Sequence, residues 1–163
     1  MILICYDGSA DAQAAIEHAG ELLAGQPAGV LTVWEPFIDV LTRSGAGLSV
    51  GGLIANIDEI DAASEREARE RAEEGVERAR RSGLDAQART RQRGASIADA
   101  VLDEAEEVDA SAVVLGTRGL SGVKSLLLGS VSHGVLQHAD RPVVIVPAAR
   151  TAAERARHRE SRS

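Results

Sequence analysis

Two glycine-rich segments of the sequence contain the residue types that bind anions. The first is Asp7-Gly8-Ser9, and the second runs from Gly116 through Gly119 to Gly129-Ser130. Glycines allow the backbone to approach a ligand closely and to turn its N–H groups toward it. Gly129-Ser130 is predicted to begin a helix, whose free N–H groups and dipole favour a phosphate. The Ser130 hydroxyl can donate to a phosphate oxygen, so this spacing predicts an anion site.

Two positive side chains in the second segment favour the same chemistry. Arg118 and Lys124 lie within it, in a chain whose net charge is −7, and Lys124 is the only lysine. We therefore include Arg118 among the candidate ligand-binding residues. A plainer interpretation is open: the glycines shape a crossover loop, Ser130 caps a helix, and Asp7 caps the helix that follows the first strand.

Four apolar runs and one segment in which apolar and polar residues alternate weakly, the third, predict the strands of a parallel sheet. They extend from Ile2 to Tyr6, Gly29 to Trp34, Leu84 to Arg91, Ala112 to Leu115 and Pro142 to Pro147. Helical patterns alternate with these runs, which predicts an α/β fold: an open five-stranded parallel sheet with helices on both faces. In the strand order 3-2-1-4-5, the ligand site lies beyond the carboxyl ends of the first and fourth strands. The two glycine segments follow these two strands.

Two segments depart from this alternation. Residues 37–56 contain four glycines among small residues and predict a mobile excursion. Residues 148–163 contain five arginines and two glutamates and predict a disordered tail. The domain itself is therefore expected to span residues 1–147.

The composition excludes several classes of function. Aromatic residues make up 2% of the chain, too few for the stacking platforms that bind single-stranded nucleic acid, and the net charge of −7 disfavours binding to phosphate backbones. A single cysteine, Cys5, excludes a disulfide framework and a multi-cysteine metal site. The sequence shows no apolar run of the ~20 residues that span a bilayer, and no signal-peptide features. These features predict a cytoplasmic domain that binds neither nucleic acid nor membrane.

The glycine spacing resembles that of the universal stress protein family. ATP-binding members of that family contain the pattern G-x2-G-x9-G-(S/T), which Gly116, Gly119, Gly129 and Ser130 match. The opening strand that ends in Asp-Gly-Ser is similar as well, and so is the closing run from Asp140 to Pro147. The resemblance extends from the N-terminus to that closing run.

This resemblance implies a fold of the adenine nucleotide alpha hydrolase type that binds ATP with Mg²⁺ or Mn²⁺. It assigns Asp7 to the ribose or to a nucleotide-bound metal ion, and Leu115 to the underside of the ribose. Backbone groups near Cys5 and Val33 would meet the adenine. Two positions differ from the family: Cys5 stands where proline is frequent, and Tyr6 stands where a small or β-branched residue is usual.

The resemblance also assigns the phosphate contacts. Gly116 and Gly119 would line the path of the ribose and the phosphates. Gly129, Ser130 and Ser132 would hold phosphate oxygens. The implied function is that of a nucleotide-dependent regulatory module of the stress response.

The sequence shows no constellation for efficient catalysis. It contains neither a Walker A motif nor a Gly-x-Ser-x-Gly elbow, and its four histidines have no cysteine or carboxylate at metal-ligand spacing. We therefore expect slow ATP hydrolysis at most. Two alternatives stay open: a dimeric interaction module that binds no nucleotide, and a site that prefers AMP or cyclic AMP. A phosphorylatable receiver domain is excluded, because the third strand ends at Arg91 without an acceptor aspartate.

The last strand predicts the mode of self-association. Its apolar residues Val143, Val144, Ile145 and Val146 would form an exposed edge in a monomer. Pairing this edge with its twin across a two-fold axis covers both copies, and the family resemblance implies such dimers. We therefore expect a homodimer.

Overall fold

A parallel sheet forms the centre of the molecule. The structure is a computed structural model and describes residues 1–44, 56–120 and 128–160. Within these residues the strands are β1 (Ile2–Cys5), β2 (Pro27–Trp34), β3 (Asp85–Gln92), β4 (Ala112–Gly116) and β5 (Val143–Val146). The helices are α1 (Ala10–Leu22), α2 (Phe37–Ser44), α3 (Ile57–Arg81), α4 (Ile97–Glu107), α5 (Ser130–His138) and α6 (Ala149–Glu160).

The strand order is β3-β2-β1-β4-β5, and all four pairings are parallel. The predicted fold class and strand order are therefore confirmed. β1 lies between β2 and β4, with Ile4 paired to Val30 on one side and to Val114 on the other. Both faces of these short strands are buried, which explains why they appear as continuous apolar runs.

Alternating side chains divide the core into two layers. Ile4 and Val114 lie on the first face of the sheet, in the apolar cluster that includes residues of α1 and α3. Leu3 and Val113 lie on the second face, in the cluster that includes residues of α4 and α5. This alternation is the two-residue period of a β-strand. Helices α1 and α3 therefore cover the first face of the sheet, and α4 and α5 cover the second.

Two segments differ from the sequence expectation. The predicted excursion begins with the helix α2, whose first-turn Asp39 and last-turn Arg43 complement the helix dipole. Its N-terminus is fixed by the Phe37 N–H, which donates to Asp61 Oδ1 at 2.7 Å. The four glycines of this stretch lie within 45–55, outside the described residues. Because glycine dominates the composition of the whole stretch, its sequence did not predict a helix in the residues that precede them.

The C-terminal segment is also helical, as α6, where its composition predicts disorder. Thr151 on this helix is buried, and its hydroxyl accepts a hydrogen bond from Arg118 of the glycine-rich segment. The composition of the segment cannot predict this contact, because its two residues lie in distant parts of the chain. No helix of the described residues is long and apolar enough to cross a membrane.

Candidate functional site

The strand order reverses between β1 and β4. From β1 the chain continues to β2 on one side, and from β4 it continues to β5 on the other. The two connections leave a crevice between the carboxyl ends of β1 and β4, which is where an open parallel sheet binds its ligand. Asp7 and Gly119 follow these two ends, as the sequence predicts.

Asp7 joins the two strand exits. Its Oδ1 accepts from the Ser9 N–H at 2.9 Å, and its Oδ2 accepts from the Leu120 N–H at 3.1 Å. A Cβ atom on Gly119 would lie 2.6 Å from Asp7 Oδ2, so a side chain there would push this carboxylate out of its position. The N-cap of α1 is Ser9, whose hydroxyl accepts from the Ala12 N–H at 3.2 Å. Asp7 is therefore not the helix cap that the plainer interpretation allows.

Gly116 is required by helix packing. A Cβ atom there would lie 2.6 Å from the carbonyl carbon of Asp11 and 2.9 Å from the Ala12 nitrogen, both in the first turn of α1. Next to it, the buried Thr117 hydroxyl donates to the buried Asp11 carboxylate. Sequence reasoning missed this pair, although Asp11 stands in the first turn of a helix where an acidic residue is favoured.

The start of α5 lies beside this crevice. The Gly129 N–H donates to the Thr117 carbonyl at 2.7 Å, and a Cβ atom on Gly129 would lie 3.9 Å from the Gly119 nitrogen. Gly129 is the N-cap and supplies no side-chain hydrogen bond. The exposed Ser130 follows it. The first-turn N–H groups of α5 therefore form an uncapped positive pole next to the predicted phosphate path.

Ser132 and Arg118 have other partners than the sequence suggests. The buried Ser132 hydroxyl donates to the Gly116 carbonyl at 2.7 Å, so it attaches α5 to the end of β4. The Arg118 guanidinium is directed to Thr151 on α6. Lys124, the other predicted positive group, lies outside the described residues.

A cavity of about 470 Å³ opens on the second face of the sheet, between the starts of two helices. It is lined by Ser96–Asp99 at the start of α4, by Ser130 and Val131 at the start of α5, and by Glu35 and Arg93 at the ends of β2 and β3. Of the predicted site residues, Ser130 lines this cavity directly. A volume of several hundred cubic ångströms is the size of a small-molecule site.

Three further predicted residues lie on the second face of the sheet but do not line this cavity. Cys5, Val33 and Leu115 belong to the core cluster of the second face, at the carboxyl ends of their strands. Burial, and then the charge of Asp7, raise the pKa of the Cys5 thiol to about 12. The thiol is therefore neutral at physiological pH and offers an apolar surface rather than a nucleophile.

Tyr6, the bulkier of the two departures from the family pattern, points away from the cavity. It lies in the core of the first face, and its hydroxyl donates to Glu74 Oε1 at 2.8 Å. Burial, followed by this hydrogen bond, raises the pKa of Tyr6. Its size therefore does not restrict the space on the second face.

The described residues contain no group of three or more histidine, cysteine, aspartate or glutamate side chains that could hold a metal ion. Asp7 alone supplies a carboxylate at the crevice, and both of its oxygens accept backbone hydrogen bonds. These residues fit a metal ion that arrives with the phosphates of a nucleotide. They do not form a resident metal centre.

Known proteins resemble the chain in sequence and in fold. Residues 1–147 match the model of the Universal stress protein family. The chain is 34% identical over 149 residues to Universal stress protein YxiE from Bacillus subtilis. The aligned residues cover 89% of this chain and 97% of the relative.

Two solved structures with bound nucleotide are similar as well. The universal stress protein from Archaeoglobus fulgidus in complex with dAMP has a TM-score of 0.59 and 26% identity, over 89% of this chain and 95% of the other. A universal stress protein in complex with cAMP has a TM-score of 0.58 and 27% identity, over 91% of this chain and 97% of the other.

Proposed function

The chain belongs to the universal stress protein family, and on that premise we propose that it binds ATP, with Mg²⁺ or Mn²⁺, as a nucleotide-dependent regulatory module of the stress response. The observation that carries this proposal is the cavity of about 470 Å³ beside the uncapped start of α5. It lies on the second face of the sheet beside the start of α5, and its size suits a mononucleotide. Relatives that hold dAMP and cAMP support an adenine nucleotide as the ligand.

The phosphates would bind at the start of α5. There the N–H groups of the first turn and the Ser130 hydroxyl can donate to phosphate oxygens, and the helix dipole favours their charge. Gly119 and Gly129 leave room for the backbone to approach them. Ser132 contributes indirectly, because its hydrogen bond to Gly116 holds α5 against β4.

The nucleoside would lie over the carboxyl ends of the central strands. Backbone groups near Cys5 and Val33 would meet the adenine, and Leu115 would lie under the ribose. Asp7 would contact the ribose hydroxyls. A bound Mg²⁺ or Mn²⁺ would neutralise phosphate charge, and the Asp7 carboxylate would contribute to holding the ion.

We propose binding rather than efficient turnover. Hydrolysis requires a general base that activates water within hydrogen-bond reach of the phosphate. The Asp7 carboxylate is engaged by two backbone N–H groups, from Ser9 and Leu120, and the Cys5 thiol is protonated. Neither group is suited to that role.

Isothermal titration calorimetry of the nucleotide-stripped protein with Mg-ATP tests this proposal. We expect saturable binding near one ATP per chain, and competition by AMP or cyclic AMP measures the preference among adenine nucleotides. If the protein gives no heat with ATP and binds neither AMP nor cyclic AMP, the proposal is wrong and a nucleotide-free interaction module replaces it.

Two variants locate the phosphates. In Gly119→Val the new side chain overlaps Asp7 and displaces its carboxylate from between the two strand exits, so ATP binding should be abolished while the circular dichroism spectrum is retained. Ser130→Ala should weaken binding by about 1–2 kcal/mol, roughly tenfold. Ser111→Ala is the matched control, because this exposed serine precedes β4 at the opposite edge of the sheet. Wild-type affinity in both test variants would contradict the assignment.

We also propose that the chain forms a homodimer through β5. This strand pairs only with β4 among the described residues, and its Val143, Val144 and Ile145 are half-buried apolar side chains at the sheet edge. Sedimentation of Val144→Glu should give a monomer where the wild-type chain gives a dimer. A retained dimer in a folded variant would contradict the edge-to-edge arrangement.

A further inference from the structure

Thr117 joins three other elements to the end of β4. Its N–H donates to the carbonyl of Val146, the last residue of β5, at 3.0 Å. Its carbonyl accepts from the N–H of Gly129, the N-cap of α5, at 2.7 Å. Its hydroxyl donates to the carboxylate of Asp11 in the first turn of α1. One residue of the glycine-rich segment therefore connects β4 to β5, α5 and α1.

The bond between Thr117 and Asp11 lies inside the protein. The two residues are only 1% and 7% exposed. A buried carboxylate is costly unless hydrogen bonds replace the water that it has lost, so this pair resists separation. The absent side chain of Gly116 lets the two elements meet, because a Cβ atom there would lie 2.6 Å from the carbonyl carbon of Asp11. Thr117 is thus fixed against α1.

The first turn of α5 depends on the position of Thr117. Gly129 has no side chain to cap this helix, and its N–H is bonded to the Thr117 carbonyl. The Ser132 hydroxyl, which donates to Gly116, also lies 3.3 Å from the Thr117 carbonyl. Two contacts that hold the start of α5 against the sheet therefore meet at one carbonyl oxygen. A shift of Thr117 would move Ser130, which stands between Gly129 and the rest of the helix.

Thr117 itself is not placed to touch a ligand. Its side chain is buried, and its N–H, carbonyl and hydroxyl are all bonded to other residues of the protein. Any effect of Thr117 on nucleotide binding must therefore pass through the residues that it holds. The exposed Ser130 and the free N–H groups of the first turn of α5 are the nearest groups that can donate to a phosphate.

We propose that Thr117, held by Asp11, is a positioning residue for the phosphates of the bound nucleotide. It fixes the first turn of α5 so that the Ser130 hydroxyl and the N–H groups beside it are aligned before the nucleotide arrives. This inference rests on the proposed function and adds to it a pair of residues that act through α5. Donors that are already aligned increase affinity, because the ligand does not have to bear the cost of ordering them.

A double-mutant cycle tests this role, with the affinity for Mg-ATP measured by titration calorimetry. Its members are the wild-type protein, Thr117→Val, Ser130→Ala and the double variant. Valine is close to threonine in shape but cannot donate to Asp11, so Thr117→Val should bind ATP about tenfold more weakly. Because both substitutions weaken the same phosphate contact, the double variant should bind only slightly more weakly than either single variant.

Two further variants separate the hydroxyl from the rest of the side chain. Thr117→Ser keeps the donor to Asp11 and should bind ATP as the wild-type protein does. Thr90→Val makes the same substitution on the edge strand β3, which β2 and β1 separate from β4, and should leave the affinity unchanged.

Asp11→Ala provides a second route to the same test. Thr117→Val leaves a buried carboxylate without its partner, so urea denaturation must show that this variant is folded. Asp11→Ala removes the carboxylate and its burial cost together, and leaves Thr117 without its acceptor on α1. We expect it to show the same loss of ATP affinity, and again little further loss when it is combined with Ser130→Ala.

Three outcomes overturn the proposal and leave nucleotide binding intact. The first is wild-type affinity in Asp11→Ala and in folded Thr117→Val. The second is a loss that multiplies fully with that of Ser130→Ala, which would show that the pair supports the fold without acting on the phosphate contact. The third is an equal loss in Thr117→Ser, which would assign the effect to the methyl group. If the wild-type protein binds neither ATP nor AMP nor cyclic AMP, the proposed function itself fails.

Discussion

The two faces of the sheet are covered in different ways. On the first face, helices pack directly on the strands: a Cβ atom on Gly75 of α3 would lie 2.7 Å from a methyl carbon of Val30, and Gly116 of β4 touches the backbone of α1. On the second face, α4 and α5 contact each other closely at Ala98 and Gly134 and leave a cavity at the strand ends. Similar alternating strands thus support a closed face that provides stability and an open face that can hold a ligand.

The closed face should be the more sensitive to added volume. Gly116→Ala forces a methyl group against backbone atoms of Asp11 and Ala12 that cannot rotate away, so α1 must shift. We expect the free energy of unfolding to fall by roughly 3 kcal/mol, measured by urea denaturation. Gly94→Ala is the control, since its Cβ atom meets nothing within 4 Å. Equal stability of the two variants would show that the first face is not closely packed.

Removing the ion pairs beneath α4 should cause the second-largest loss in the free energy of unfolding. Glu104 is buried and binds both Arg89 and Arg91, so Glu104→Gln leaves two partly buried guanidinium groups without their shared counter-charge. We expect a loss of about 2 kcal/mol in urea denaturation. Asp103→Asn, an exposed change on the same helix, should have little effect. A loss as small as that of the control would mean that these ion pairs do not hold α4 on the sheet.

The variant Ser132→Ala tests whether Ser132 stabilises the fold or contacts the ligand. The buried hydroxyl donates to the Gly116 carbonyl, so its removal should lower the free energy of unfolding by about 1 kcal/mol in urea denaturation. Because that donor is already engaged, the affinity for ATP should change much less than in Ser130→Ala. A large loss of affinity at unchanged stability would restore Ser132 as a direct phosphate ligand.

The ionisation of Cys5, on the second face of the sheet, should make the stability of the protein depend on pH. Its pKa rises from an ordinary value of 9.0 to about 12, so above pH 9 the unfolded chain loses the thiol proton while the folded chain retains it. Stability attributable to Cys5 is therefore complete below pH 9 and declines above it. Between pH 9 and 10 the wild-type protein should lose about 1 kcal/mol more than Cys5→Ala in urea denaturation. Parallel curves for the two proteins would show that the thiol is solvated.

The sequence predicted the fold well because its strongest signals are local. Short apolar runs such as Val113–Leu115 are strands buried on both faces, and their alternation with helices leaves few topologies. The crevice followed from the strand order, which brings Asp7 and Gly119 together as expected. α2 and α6 were missed, because glycine content in one segment and arginine content in the other outweighed weaker helical patterns.

Apart from Ser130, the residues that line the cavity could not be predicted from the glycine pattern. Glu35 and Arg93 lie at the ends of β2 and β3, and their approach depends on tertiary pairing that no local signal encodes. The same holds for the Asp11–Thr117 pair, whose members are 106 residues apart. Arg89, Arg91 and Arg93 form a visible alternation in the sequence, but only the packing of Glu104 shows which of them are neutralised.

The contact between Arg118 and Thr151 has a consequence for binding rates. A threonine hydroxyl is neutral, so the bond to α6 brings no counter-charge to the Arg118 guanidinium beside the glycine segment. In a chain of net charge −7, such a charge attracts an approaching anion over a distance of several ångströms without touching it. Arg118→Gln should therefore slow ATP association and weaken its salt dependence in stopped-flow measurements, while the dissociation rate is unchanged. Arg118 would then guide the nucleotide to the site but take no part in holding it there.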